Sequence, residues 1–199
     1  MIKNIDDLKN TIKQVNTSIQ EINNFIGPDD PDQFDGSDFM IGLPIGYIRT
    51  AEYFRQQIPF IKDKDLSSNI AYTLQLSDFY CWLFNRTNID LTVREMLIKN
   101  GLMLMASICE TIAVYVTKGI IGKSHAFCAR IDRMITEELI DKDLAIELKD
   151  LWTKRKGIHL YELDKAEFNK YKYDDYSSAV ILTHRLIDTY NRKQQGLKK

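Results

Sequence analysis

Arg155 and His159 are the residues of this chain whose types and spacing best suit a chemical reaction. They lie in LWTKRKGIHL, residues 151–160, and on a continuous helix they would be four residues apart on one face. A guanidinium can hold a phosphate through two parallel hydrogen bonds. An imidazole can take a proton from a ribose 2′-hydroxyl or give one to a leaving oxygen. The pair could therefore cleave RNA without a metal ion, because RNA supplies its own nucleophile.

The same stretch also fits a purely structural interpretation. Three consecutive cations at residues 154–156 suit the negative end of a helix dipole, and Gly157 is a common type of residue directly after a helix. Arg155 would then cap the C-terminal end of a helix, and His159 would pack against the protein or be exposed. Spacing alone leaves both interpretations open.

A second candidate for contact with RNA is FNKYKYDDY, residues 168–176. Lysines and tyrosines alternate here, and aromatic rings stack on unpaired bases while lysines hold phosphates. With two lysines from the first stretch, the residues predicted to bind RNA are Lys154, Lys156, Lys170, Tyr171, Lys172 and Tyr173. The alternative is a loop whose tyrosines pack on the protein.

The chain carries no clear motif for a metal ion or a cofactor. It lacks a glycine-rich phosphate loop, an HExxH motif and a GxSxG motif. His125 and Cys128 form a lone HxxC without a second pair of zinc ligands. The acidic stretch at residues 27–38 lacks the glycine and the final acidic residue of a calcium loop. We therefore expect neither a metal ion nor a cofactor.

The composition is that of an ordinary soluble protein. The chain has 199 residues, of which 44% are hydrophobic and 28% charged, and this length suffices for a sizeable core. The chain has three cysteines, an odd number, and no CxxC motif. We therefore expect free thiols in a reducing compartment. We find no signal peptide and no apolar run near the roughly 18 residues of a membrane span. The expectation is a cytoplasmic protein without a membrane segment.

The charge is unevenly distributed, although the net charge is only −1. Residues 1–38 carry 3 basic and 8 acidic residues, whereas residues 149–199 carry 12 basic and 7 acidic residues. A basic C-terminal quarter could meet an anionic partner such as RNA. It could equally face the acidic N-terminal region.

Helices are the elements predicted to position these residues. Seven apolar residues follow one another at spacings of three and four: Ile5, Leu8, Ile12, Val15, Ile19, Ile22 and Ile26. They predict an amphipathic heptad helix over residues 5–26, within an N-terminal arm of residues 1–26. Such a narrow stripe suits a coiled-coil seam or an arm that lies over a neighbour. Residues 27–38, with two prolines, two glycines and five aspartates, are predicted to be an acidic linker.

The remaining residues, 39–199, are predicted to form an all-α bundle of about five or six helices. The apolar patterns place these helices at 47–57, 66–86, 91–118, 124–139, 141–156 and 174–194. The helix over 91–118 is apolar nearly all round after residue 101, which is typical of the central helix of a bundle.

An apolar helix that carries SICET (residues 107–111), followed by a helix that ends in LWTKRKGIHL, resembles the HEPN superfamily. These are small α-helical bundles of prokaryotic toxin–antitoxin, abortive-infection and antiviral defence systems. The resemblance covers roughly residues 66–192, and its motif matches at Leu151, Arg155, Ile158, His159 and Leu160. The chain departs from the family pattern at three points. Lys156 follows the arginine, where the family usually has Asn, Asp or His. Three residues, rather than four to six, separate Arg155 from His159, and one of these three is Gly157.

The resemblance implies a metal-independent endoribonuclease. Arg155 would hold the phosphate, His159 would transfer protons, and Glu110 or Ser107 on the core helix would orient them. It also implies RNA as a partner, a homodimer in which two motifs face one cleft, and an antitoxin or another defence protein as a further partner. Two alternatives remain: a HEPN-like bundle that binds RNA or protein without catalysis, and an unrelated interaction protein that dimerises through its N-terminal helix.

Overall fold

The structure is a computed structural model of the chain, and it describes residues 1–26, 41–42, 46–122, 126–156 and 170–196. Within these ranges the chain forms seven α-helices and no β-strand. One N-terminal helix is followed by six others, so the predicted all-α fold is confirmed. The predicted acidic linker at residues 27–38 lies outside the described residues.

Contacts along the chain define two units, residues 1–44 and residues 45–199. In the first unit, helix α1 covers Ile5–Ile26 without interruption and contains the whole apolar stripe. Asn4 caps it, because its side-chain oxygen accepts hydrogen bonds from the backbone N–H groups of Asp6 and Asp7 at 3.0 and 2.8 Å. None of the residues of α1 is buried.

The second unit contains the hydrophobic core. Its helices are α2 (Ala51–Gln57), α3 (Lys64–Arg86), α4 (Leu91–Val116), α5 (Phe127–Thr136), α6 (Lys142–Lys156) and α7 (Tyr173–Gly196). Helix α4 contacts α3, α5, α6 and α7. The prediction that this apolar helix is the central one is therefore confirmed.

Two helices, α2 and α5, are at least three residues shorter than predicted. Local hydrogen bonds and backbone angles account for the missing residues at one end of each helix. Helix α2 begins at residue 51 rather than 47, where the Thr50 hydroxyl caps it by accepting from the Tyr53 N–H. The backbone N–H of Arg49 instead donates to Asp78 at 3.0 Å. Helix α5 ends at residue 136 rather than 139, shortly before Glu138, whose φ of 56° is left-handed.

Helix α4 is long and apolar enough to cross a membrane by length and composition. This differs from our expectation that the chain has no such segment. More than half of its most apolar window, 56%, is buried within the protein. Packing against four neighbouring helices accounts for an apolar surface on nearly every side of α4.

Tyr176 joins three helices at the centre of the bundle. Its ring is fully buried and lies so close to Gly101 of α4 that a Cβ there would be 2.6 Å from two ring carbons. Only glycine allows this approach of α7 to α4. The Tyr176 hydroxyl donates to the Ser77 carbonyl oxygen of α3 at 3.0 Å, and the two hydroxyl oxygens are 2.6 Å apart.

A second, partly buried contact joins the segment before α2 to α3 and lies near α7. The Asp78 carboxylate is nearly buried and accepts from the Arg49 guanidinium at 2.5 and 2.8 Å, as well as from the Arg49 backbone. Burial lowers the pKa of His184 on α7, and the positive charge of Arg49 lowers it further, while Asp188 and Asp78 oppose the shift. We therefore expect His184 to be neutral at neutral pH.

His184 should make the stability of the protein depend on pH. Because its pKa lies below the ordinary 6.5 only in the folded chain, the unfolded chain binds the proton more strongly. The contribution of His184 is present above about pH 6.5 and is lost as the pH falls towards the folded pKa. In urea unfolding from about pH 7.5 to about pH 5, His184→Gln should therefore lose less stability than the wild type. Identical pH dependence in the two proteins would contradict the assignment.

Candidate functional site

The last turn of α6 places Arg155 beside α4. Its Nη2 lies 3.8 Å from Oε2 of Glu110, and its Cζ lies 4.4 Å from the centre of the Trp152 ring. Trp152 in turn stacks on Phe127 of α5, with ring centres 4.6 Å apart. Three helices therefore determine where this guanidinium lies.

This arrangement leaves the guanidinium partly exposed, so an anion can reach it. Its Cζ lies over the Trp152 ring at a distance typical of a cation–π contact. The 3.8 Å separation from Glu110 exceeds a hydrogen-bond length, and both side chains are 37% exposed. Such an exposed pair is weak. Glu110 can therefore orient Arg155 while a phosphate competes for the same N–H groups.

Of the four residues predicted to be catalytic, the structure brings Arg155 and Glu110 together. Ser107 lies one turn before Glu110 on α4 and is exposed, and its carbonyl accepts from the Thr111 hydroxyl at 2.8 Å. His159 lies outside the described residues. Its position on the same face as Arg155 stays a prediction.

The predicted RNA-binding lysines lie at the ends of α6 and α7. Lys154 contacts Asp175 of α7 at 3.0 Å and Asp150 of its own helix at 3.9 Å, so neighbouring carboxylates partly neutralise its charge. Lys156 and Lys172 are exposed. Because Lys154 and Asp175 join the two helix ends, these two exposed cations lie at the same end of the bundle.

The predicted RNA-binding tyrosines pack on the bundle. Tyr171 is only 8% exposed, and the ammonium groups of Lys170 and Lys99 lie 5.4 and 6.0 Å from its ring centre. The Lys170 backbone N–H donates to Glu95 of α4 at 3.2 Å. Tyr173 packs edge-to-face with Phe84, with ring centres 5.5 Å apart. The contacts of Tyr171 correspond to the structural alternative, because this ring is buried, whereas Tyr173 is only partly buried.

A cleft of about 780 Å³ opens next to Glu110, with Val114 and Tyr115 of α4 along one wall. Arg130 of α5 also lines it, although this side chain is only 3% exposed. Arg130 donates to the Thr117 hydroxyl at 2.8 Å and to the Gly122 carbonyl at 3.0 Å. The cleft borders the carboxylate that contacts Arg155.

Two residues of this region, Trp152 and Arg130, were not predicted from the sequence. Trp152 precedes Arg155 by three residues on one helix, and this spacing is the signal that would have identified it. Arg130 lies in the apolar stripe of α5 between Phe127 and Met134, which are both buried. A charged residue within such a stripe is the signal for a buried, hydrogen-bonded arginine.

No protein-family model, no curated protein and no solved structure matches this chain. The case for a function therefore depends on the residues around Arg155.

Proposed function

We propose that the chain is a metal-independent endoribonuclease of HEPN type that acts in the cytoplasm, in a toxin–antitoxin or antiviral defence system. The observation that supports this most is the partly exposed guanidinium of Arg155, which contacts Trp152 and Glu110 and lies four residues before a histidine. An accessible guanidinium suits a phosphate.

In the proposed reaction, Arg155 binds the non-bridging oxygens of the scissile phosphate. His159 removes the proton of the adjacent ribose 2′-hydroxyl, and the 2′-oxygen attacks the phosphorus. The bond to the 5′-oxygen breaks, and this oxygen takes up a proton from water as it leaves, while His159 returns its own proton to the solvent. The products are a 2′,3′-cyclic phosphate and a 5′-hydroxyl, and no metal ion is needed because the guanidinium stabilises the developing charge.

Glu110 would act as a positioning residue. In the part of the chain that the structure describes, its carboxylate lies 3.8 Å from the Arg155 guanidinium, and an incoming phosphate would replace or share that contact. The exposed cations Lys156 and Lys172 at the same end of the bundle would hold the flanking phosphates. Ser107, one turn away on α4, is a second polar group that could face the RNA.

A second candidate function is RNA binding without cleavage. The exposed basic side chains at the joined ends of α6 and α7 favour it, because phosphate contacts require only positive charge. The two candidates differ in whether bound RNA is cut.

Arg155→Lys should lower RNA cleavage by at least about 100-fold, because a point charge does not replace a planar group with two parallel donors. The measurement is the initial cleavage rate of labelled RNA oligonucleotides by purified protein in EDTA. Wild-type cleavage that yields cyclic phosphate ends would support the proposal.

The matched control is Arg55→Lys, because Arg55 is another arginine that contacts a glutamate, with 3.0 Å between its Nε and Glu52. This variant should cleave at the wild-type rate. An Arg155→Lys variant as active as the wild type would contradict the role of Arg155. Tight binding of RNA that stays intact in the wild type would favour the second candidate.

A further inference from the structure

Helix α1 carries an apolar stripe that is not buried within its own unit. Its seven stripe residues occur at alternating spacings of three and four, so they form the a and d positions of a heptad repeat. Five of them are at least 40% exposed: Ile5, Leu8, Ile12, Val15 and Ile22. The stripe extends along all 22 residues of the helix, a length of about 33 Å.

The composition of α1 indicates that this helix needs a packing partner. It contains no alanine, and it is rich in isoleucine, asparagine and threonine, which are weak helix formers. An isolated helix of this length is marginal in water even when its sequence is favourable. Because none of its residues is buried, the stripe is the part of α1 that a partner would have to cover.

The regularity of the stripe favours another α1 as that partner. A seam with a strict heptad repeat is complementary to a copy of itself, and two-fold association is the commonest way in which chains pair. Within α1, the positions on either side of the seam carry Lys9, Thr11, Asn16, Ser18, Asn23 and Phe25. Lys9 is the single charged residue among these six. Two copies can therefore approach without repulsion between like charges.

We propose that α1 is a self-association element whose apolar stripe packs against α1 of a second copy of this chain in a two-stranded coiled coil. This proposal stands apart from the proposed ribonuclease function, because it needs no catalytic residue. The contact is apolar, so it should persist at high salt, unlike association through bound RNA.

The test is the mass of the full chain in solution, measured by sedimentation from about 1 µM to about 1 mM protein, a range that spans weak to moderate affinities. The wild type should shift with concentration from 23.2 kDa to twice that mass. Ile12→Asp combined with Ile22→Asp places charges in the seam and should give 23.2 kDa throughout.

The matched control is Asn10→Asp combined with Asn24→Asp, which adds the same two charges on the opposite face of α1. It should associate like the wild type, and thermal unfolding of the bundle should be alike in all three proteins. A wild type that stays monomeric would overturn the proposal and would point to docking within one chain or to a different protein. Unchanged association of the seam variant would also overturn it, and an assembly larger than two copies would overturn the two-stranded arrangement.

Discussion

His159→Ala is expected to reduce RNA cleavage by about 10²–10⁴-fold, which is the usual contribution of a general acid–base group. Arg155 can still bind the phosphate in this variant, but no side chain at that position removes the 2′-proton. RNA binding should therefore change much less than the cleavage rate. The measurement compares both quantities in EDTA, with the rate from labelled RNA and the affinity from fluorescence anisotropy.

The control for this prediction is His184→Gln, which removes a different histidine, on α7. We expect it to cleave RNA like the wild type at neutral pH. Retained cleavage by His159→Ala would contradict the assignment of His159 as the proton-transferring group. An equal loss in both variants would indicate damage to the fold rather than to the reaction.

Tyr176→Ala is expected to lower the free energy of unfolding by about 3–5 kcal/mol, the usual cost of removing a large buried aromatic side chain. The variant loses ring contacts with Phe84 and Tyr80 and leaves a cavity next to Gly101. Because folded proteins are stable by only about 5–15 kcal/mol, this change removes a large part of the total. Urea unfolding followed by circular dichroism measures it.

The substitution Tyr176→Phe distinguishes the contribution of the ring to stability from that of the hydroxyl. Burial raises the pKa of this hydroxyl well above its usual value, so it stays protonated and donates to Ser77. Its removal should cost only about 1–2 kcal/mol, because the ring and its packing remain. A Tyr176→Ala variant no less stable than Tyr176→Phe would show that the ring is not the element that joins α3, α4 and α7.

Periodic patterns in the sequence predicted most of the helices well. Helix α1 begins and ends at the residues given by its apolar stripe, and the 3.6-residue periodicity placed α3 and α6 within two residues of their ends. The patterns failed where a long-range contact or an unusual backbone angle intervened. Helix α2 begins later than predicted because the Arg49 backbone donates a hydrogen bond to Asp78 instead. A contact between residues 29 positions apart leaves no periodic signal in the sequence.

The candidate site could be predicted only in part. Arg155 and Glu110 were named from the sequence, and the structure places them 3.8 Å apart. The tyrosines of residues 171–173 could not be assigned, because a buried tyrosine and a base-stacking tyrosine look alike in sequence. Lys154 also gave no sign of its contact with Asp175, since that ion pair depends on where α6 and α7 meet.

The position of α4 between earlier and later helices has a consequence for the synthesis of the chain. About 60 residues separate the end of α4 at Val116 from Tyr176, the residue that packs on Gly101. A ribosome that adds about 5–20 residues per second needs about 3–12 s to make them.

During that interval, the nascent chain carries an apolar segment that by length and composition could be read as membrane-spanning, and its last covering helix does not yet exist. Until α7 is made, the part of α4 that α7 covers is exposed to any factor that binds apolar segments.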